Sequence, residues 1–187
     1  TKLTAGRPAA LAPLGHCALR FDACQVTRAR RLGADGKAFD RIARPMRALE
    51  DTLLASMLIG AMQAELDALA SWLRGTAPTP VNLRSLGALR LELAALARLA
   101  ALCSAQLEAH GADERLADLN AGMRITLERW QNSCDAFAAP LDDHPLKLLE
   151  LCRDIRTVLG IARGVGEARH LMAGNRLLHT KEPDEVP

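Results

Sequence analysis

The chain has 187 residues, 49% of them hydrophobic and 25% charged, with 24 basic against 22 acidic side chains. That is enough apolar material for one domain with its own core, which excludes wholesale disorder, and a net charge of +2 singles out no class of partner. Aromatics are only 3% and Tyr is absent, so a sheet-based fold and any site that needs base stacking or an aromatic cage are disfavoured.

The apolar residues are chiefly Leu and Ala, both strong helix formers, and their spacing divides the chain into helices. Residues 1–12, with Gly6 and Pro8, read as a loose arm. Leu14, Cys17, Phe21 and Cys24 then repeat a 3-4-3 step, which predicts a first helix over residues 14–32, with Arg28, Arg30 and Arg31 in its last turn before Gly33. Asp35 can cap a second helix reaching Trp72 or Leu73. Its apolar stripe is Phe39, Ile42, Met46, Leu49, Leu53, Met57, Met62, Leu66, Leu69 and Leu73. Pro45 falls inside this stripe and removes one backbone donor, so a kink or a fresh helix start is expected there.

After Gly75, Pro78 and Pro80 the third predicted helix covers residues 82–110. Leu86, Leu89, Leu93, Leu96, Ala100, Cys103 and Leu107 alternate three- and four-residue steps without a miss. A second row, Leu91, Ala95, Leu99 and Leu102, predicts that this helix is central and covered from more than one side. Asp113 can cap a fourth helix with the stripe Leu116, Leu119, Met123, Leu127, Trp130, Cys134 and Phe137, which Pro140 ends. Asp142 or Asp143 with Pro145 opens a fifth, carrying Leu148, Leu151, Cys152, Ile155, Val158 and Leu159 and continuing to Leu171 and Met172. Gly160, Gly164 and Gly166 interrupt it and predict either a close helix approach or a hinge or helix end near Leu159. Residues from about 175 to 187 read as a disordered tail. The expectation is an all-α, single-domain antiparallel bundle of about five helices.

The chemistry-bearing candidates are few. Arg28, Arg30, Arg31, Lys37, Arg41, Arg44 and Arg47 form a basic cluster, part of it on one helix face, that could bind an anionic ligand, nucleic acid or an acidic protein. A solvated face with dipole compensation is the simpler account. Glu167 and His170 make one Glu-x-x-His, half of the constellation of a bundle di-metal site, and no second copy exists. Glu50, Glu65, Glu92 and Glu128 fall beside the apolar stripes. Cys17, Cys24, Cys103, Cys134 and Cys152 lie on those stripes, where a thiol packs as a small hydrophobe. Five cysteines without C-x-x-C spacing suggest no disulfide framework and a reducing, cytoplasmic location. The longest apolar stretch, residues 53–62, is broken by Ser56 and Gly60 and is about half of a bilayer span, so no membrane span is expected. No nucleophile motif or phosphate loop is present, and no cofactor is expected.

Residues 140–151, Pro-Leu-Asp-Asp-His-Pro-Leu-Lys-Leu-Leu-Glu-Leu, resemble the Pro-x-Asp-His loop before a Leu-rich helix in the all-helical chaperones that assemble molybdenum oxidoreductases. One inserted residue and the Pro after His144 depart from that pattern. Local capping by Asp143 and Pro145 also accounts for the stretch.

The functional expectation is a non-enzymatic bundle that binds another protein, as an adaptor, assembly chaperone or regulatory domain, and is itself a monomer or homodimer. Its positive support is the broad apolar surface of the second and third predicted helices, with Met46, Met57 and Met62 in one stripe. A small-ligand or metal-binding bundle is the first alternative, and anion or nucleic-acid binding at the basic cluster the second.

Overall fold

The computed structural model describes residues 2–4, 18–20, 22–25, 27–30, 36–141, 145–161 and 163–179. Its architecture is an all-α antiparallel bundle of α1 (Arg44–Arg74), α2 (Pro80–His110), α3 (Glu114–Ala138), α4 (Leu146–Gly160) and α5 (Arg163–His179). A short ribbon outside the bundle pairs β1 (Lys2–Thr4) antiparallel with β2 (Ala18–Arg20).

The helix boundaries follow local chemistry. A π-helical turn, Phe39–Ala43, leads into α1, and Pro45 stands in the first turn of the α-helix. A missing donor is tolerated there, so the chain changes hydrogen-bond register before Pro45 instead of kinking after it. Thr79 and Asn82 close a reciprocal capping box at the start of α2, and Asp113 accepts from Leu116 N at 2.8 Å to cap α3. Gly111 ends α2 at φ +71, where a side chain would be strained.

Two elements differ from expectation. The first predicted helix is not formed in the described part of residues 14–32: Ala18–Arg20 is β2 and Arg28–Arg30 a single 3-10 turn. Ala23 sits at φ +46, which interrupts any right-handed helix, and Cys24 is exposed. Four apolar residues at helical spacing stabilise a helix only when another face covers them. Arg31, Asp35 and Cys17 lie outside the described residues. The predicted fifth helix is instead two, α4 and α5. Ile161 turns to an extended backbone (φ −64, ψ 131), and the Arg124 guanidinium donates to Leu159 O at 2.5 Å and to Ile161 O. The last carbonyls of α4 are thus satisfied by a side chain from α3, and the glycine-rich stretch acts as a helix end. α5 continues to His179, beyond Gly174 where the sequence predicts its end.

α1 packs on α2, α3 and α4, and α3 packs on α1, α2, α4 and α5, whereas α2 meets α1 and α3. The regular seam of α2 is buried as its spacing predicts: Leu89, Leu93, Leu96, Ala100 and Cys103 are all in the core. Its second row is covered only at Leu99, which packs against the core, while Leu91, Ala95 and Leu102 are exposed. The α3 and α4 stripes also face inward, and Trp130 Nε1 donates to Leu89 O at 2.9 Å across the α2–α3 interface.

α1 changes faces along its length. Its buried residues are Ala48, Thr52, Ala55, Leu58, Met62, Glu65, Leu66, Leu69 and Leu73. Up to Met57 the predicted stripe therefore lies on the opposite side: Phe39, Ile42, Met46, Leu49, Leu53 and Met57 are exposed. Small residues explain the inversion. Ala48, Thr52 and Ala55 let α3 approach closely, and Asn120 of α3 fixes that approach by donating to Ala48 O (3.3 Å) and Thr52 Oγ1 (3.2 Å).

Candidate functional site

Two features of α1 stand out. The first is Glu65, which is 0% exposed although it sits among Met62, Leu66 and Leu69. Gln131 Nε2 of α3 donates to its Oε1 at 2.9 Å, and Cys134 Sγ (3.5 Å) and Cys152 Sγ (2.9 Å) lie against the same oxygen. The second oxygen, Oε2, is buried with no hydrogen-bond partner among the described residues, and Gln131 Oε1 is in the same condition. An unsatisfied buried polar atom costs about 1–3 kcal/mol.

Gln131 also donates to Asp135 Oδ1 at 3.1 Å, and Asp135 is ion-paired with Arg156 of α4. The cluster therefore joins a carboxylate from α1, an amide, a thiol and a carboxylate from α3, and a thiol from α4. The ligand atoms of Glu65, Asp135 and Cys152 lie within 4.8 Å of one another, a grouping that could hold a metal ion. Burial raises the Glu65 pKa from its ordinary value against the opposing hydrogen bonds from the thiols and Gln131, and the Asp135 charge adds to the rise. Burial likewise pushes the Cys152 thiol up to about 12, with the Glu65 carboxylate beside it, and raises Cys134 further. Both thiols are held in their protonated forms, so neither is a ready nucleophile. Cys152 also lines an open groove of about 540 Å³ with Asp135, Leu148, Leu149, Arg153 and Arg156, so the cluster is reached from the surface.

The second feature is the exposed row at the start of α1, with Phe39 69%, Leu53 56% and Met57 67% accessible. Taken as one helix, Phe39–Arg74 (36 residues) is long and apolar enough to cross a membrane by length and composition alone, and 33% of its most apolar window is buried. Single breaks such as Ser56 and Gly60 end an uninterrupted apolar run but leave a window average high.

The residues singled out in the sequence are placed differently. Arg28, Arg30, Lys37 and Arg41 are exposed. Arg44 pairs with Asp40 at 3.3 Å and Arg47 with Asp51 at 2.9 Å, so the basic row is interleaved with carboxylates. Asp51 also receives Arg169 of α5 at 3.2 Å. Glu167 and His170 are exposed on α5, and neither joins a metal-type grouping among the described residues.

Glu65 was the residue that sequence reasoning passed over. One signal was available: the apolar stripe of α1 takes a five-residue step from Met57 to Met62, where the buried face changes. Past that step Glu65 continues the buried row between Met62 and Leu69. The thiols were legible only as apolar residues, because their meeting at Glu65 joins three helices.

By fold the chain is an all-α antiparallel bundle. Comparison with protein-family models, curated proteins and solved structures finds no significant match, so the short likeness of residues 140–151 to molybdenum-enzyme chaperones gains no support.

Proposed function

We propose that the bundle works by binding another protein, and that the exposed apolar row of α1 receives an amphipathic helix of that partner. The observation carrying this reading is the spacing of Phe39, Ile42, Met46, Leu49, Leu53 and Met57. Their 3-4-3-4-4 steps have the geometry of a coiled-coil seam, turned to solvent. Single exposed apolar residues are ordinary on any surface, whereas six in helical register are not. Met46 and Met57 add side chains that adapt to a partner's shape. Lys37 and Arg41 flank the N-terminal end of the row, which suits acidic residues on the incoming helix.

The test is a photo-cross-linking residue placed at Leu53, with Leu102 of α2 as an exposed control position, in cells that make the protein. A partner captured from position 53 through an amphipathic helix, and lost in Leu53→Asp, supports the reading. Capture of lipid alone, of a second copy alone, or of the same proteins from both positions overturns it. Capture should persist at high salt, because the contact is apolar. Capture that collapses with salt instead favours anion binding at Arg28, Arg30, Lys37 and Arg41.

A further inference from the structure

We propose that Glu65, Asp135 and Cys152, with the Cys134 thiol beside them, form a site for a divalent cation of borderline softness, Zn²⁺ by its ligand chemistry. The site is independent of the partner-binding row, which occupies the other face and the other half of α1. Three observations converge. The ligand atoms of Glu65, Asp135 and Cys152 already lie within 4.8 Å of one another. Cys152 Sγ and Cys134 Sγ stand 2.9 Å and 3.5 Å from Glu65 Oε1. With metal–sulfur bonds of about 2.3 Å and metal–oxygen bonds of about 2.0 Å, sulfur and oxygen ligands of one tetrahedral ion stand about 3.5 Å apart. Finally, Glu65 is wholly buried and its Oε2 has no hydrogen-bond partner among the described residues. A carboxylate oxygen so placed lacks the positive partner that a cation supplies.

The surroundings suit that role. Gln131 Nε2 bridges Glu65 Oε1 and Asp135 Oδ1, which fixes both carboxylates as an outer-shell donor does. The Arg156 guanidinium offsets part of the negative charge that two carboxylates and a thiolate bring to one ion. The mixed sulfur–oxygen set selects against Mg²⁺ and Ca²⁺, which take oxygen ligands only. The groove bordered by Asp135, Cys152 and Arg156 gives the ion a path from solvent. On binding, the metal takes Cys152 as the thiolate, whose proton leaves to solvent, and no oxidant or reductant is involved. Affinity therefore rises with pH. Because the ligands come from α1, α3 and α4, occupancy ties together the three helices that meet at the core.

The experiment titrates the reduced, metal-free full chain with Co²⁺ and, separately, Zn²⁺. The expected result is one ion per chain, a thiolate-to-cobalt charge-transfer band in the near ultraviolet, displacement of that band by Zn²⁺, and a rise in Tm on loading. Cys152→Ser and Glu65→Gln should each abolish the band, Cys103→Ser should keep it, and Gln131→Ala should weaken binding about 10–100-fold. X-ray absorption on the zinc-loaded wild type reads the ligands without any substitution, which covers a variant that fails to fold. Mixed sulfur and oxygen scatterers support the site. Cobalt bound without the charge-transfer band, a shell lacking sulfur, or a band surviving in Cys152→Ser overturns it.

Discussion

The two halves of α1 carry similar apolar side chains and use them oppositely. From Phe39 to Met57 the large residues face solvent, and Ala48, Thr52 and Ala55 face α3. From Leu58 to Leu73 the large residues face inward, and the one carboxylate among them, Glu65, is enclosed with two thiols. The difference shows that apolar periodicity locates a helix but does not choose its buried side when a second row of small residues is available. Close approach through Ala and Thr, fixed by the Asn120 hydrogen bonds, is a packing solution as real as interlocked leucines. It leaves the leucines and methionines free for another surface.

That contrast can be broken most directly by matched truncations. Leu69→Ala, at a side chain with no exposure, should cost about 2–5 kcal/mol in urea unfolding, from lost burial and the cavity left behind. At the other end of the ranking, Leu53→Ala should stay within about 0.5 kcal/mol of wild type. Equal losses at the two positions would mean that the outer row is covered in solution.

Next in size is the polar contact that sets the inverted half. Asn120→Ala should destabilise by about 1–3 kcal/mol, because Asn120 is buried and its amide ties α3 to Ala48 O and Thr52. A substitution within about 0.3 kcal/mol of neutral would show that Ala packing alone holds the approach.

Glu65 supplies a smaller, pH-dependent effect in metal-free protein. Its folded pKa is raised above the unfolded one, so the native state holds the proton more tightly. The associated stability is complete below the ordinary Glu range and is lost as pH rises through the folded pKa. Stability measured from pH 4 upward should therefore decline through that window, and Glu65→Gln should flatten the decline. A variant with the wild-type slope would place the titration elsewhere than Glu65.

Much of the bundle was legible in residue order. The α2 seam from Leu86 to Leu107, the Asp113 cap, the breaks at Gly75 and Pro140, and the inward stripes of α3 and α4 are local signals, and the structure bears them out. The helix expected over residues 14–32 was not, since its four-residue stripe lacked any sign of what would cover it. The candidate site was hardly legible at all. Gln131, Cys134 and Asp135 are neighbours along α3, but Glu65 lies 66 residues before Gln131 and Cys152 lies 17 residues after Asp135.

What the sequence determined by itself is the all-α class, most helix ends and which residues of α2, α3 and α4 turn inward, because caps, prolines and a 3.6-residue period act within a few residues of where they are written. The tertiary structure alone decided which helices α1 and α3 pack against, that the large apolar residues in the first half of α1 face outward, and that a glutamate and two thiols meet in the core. Each depends on how closely two helices can approach, and that distance is set by pairs of small or polar residues far apart in the chain.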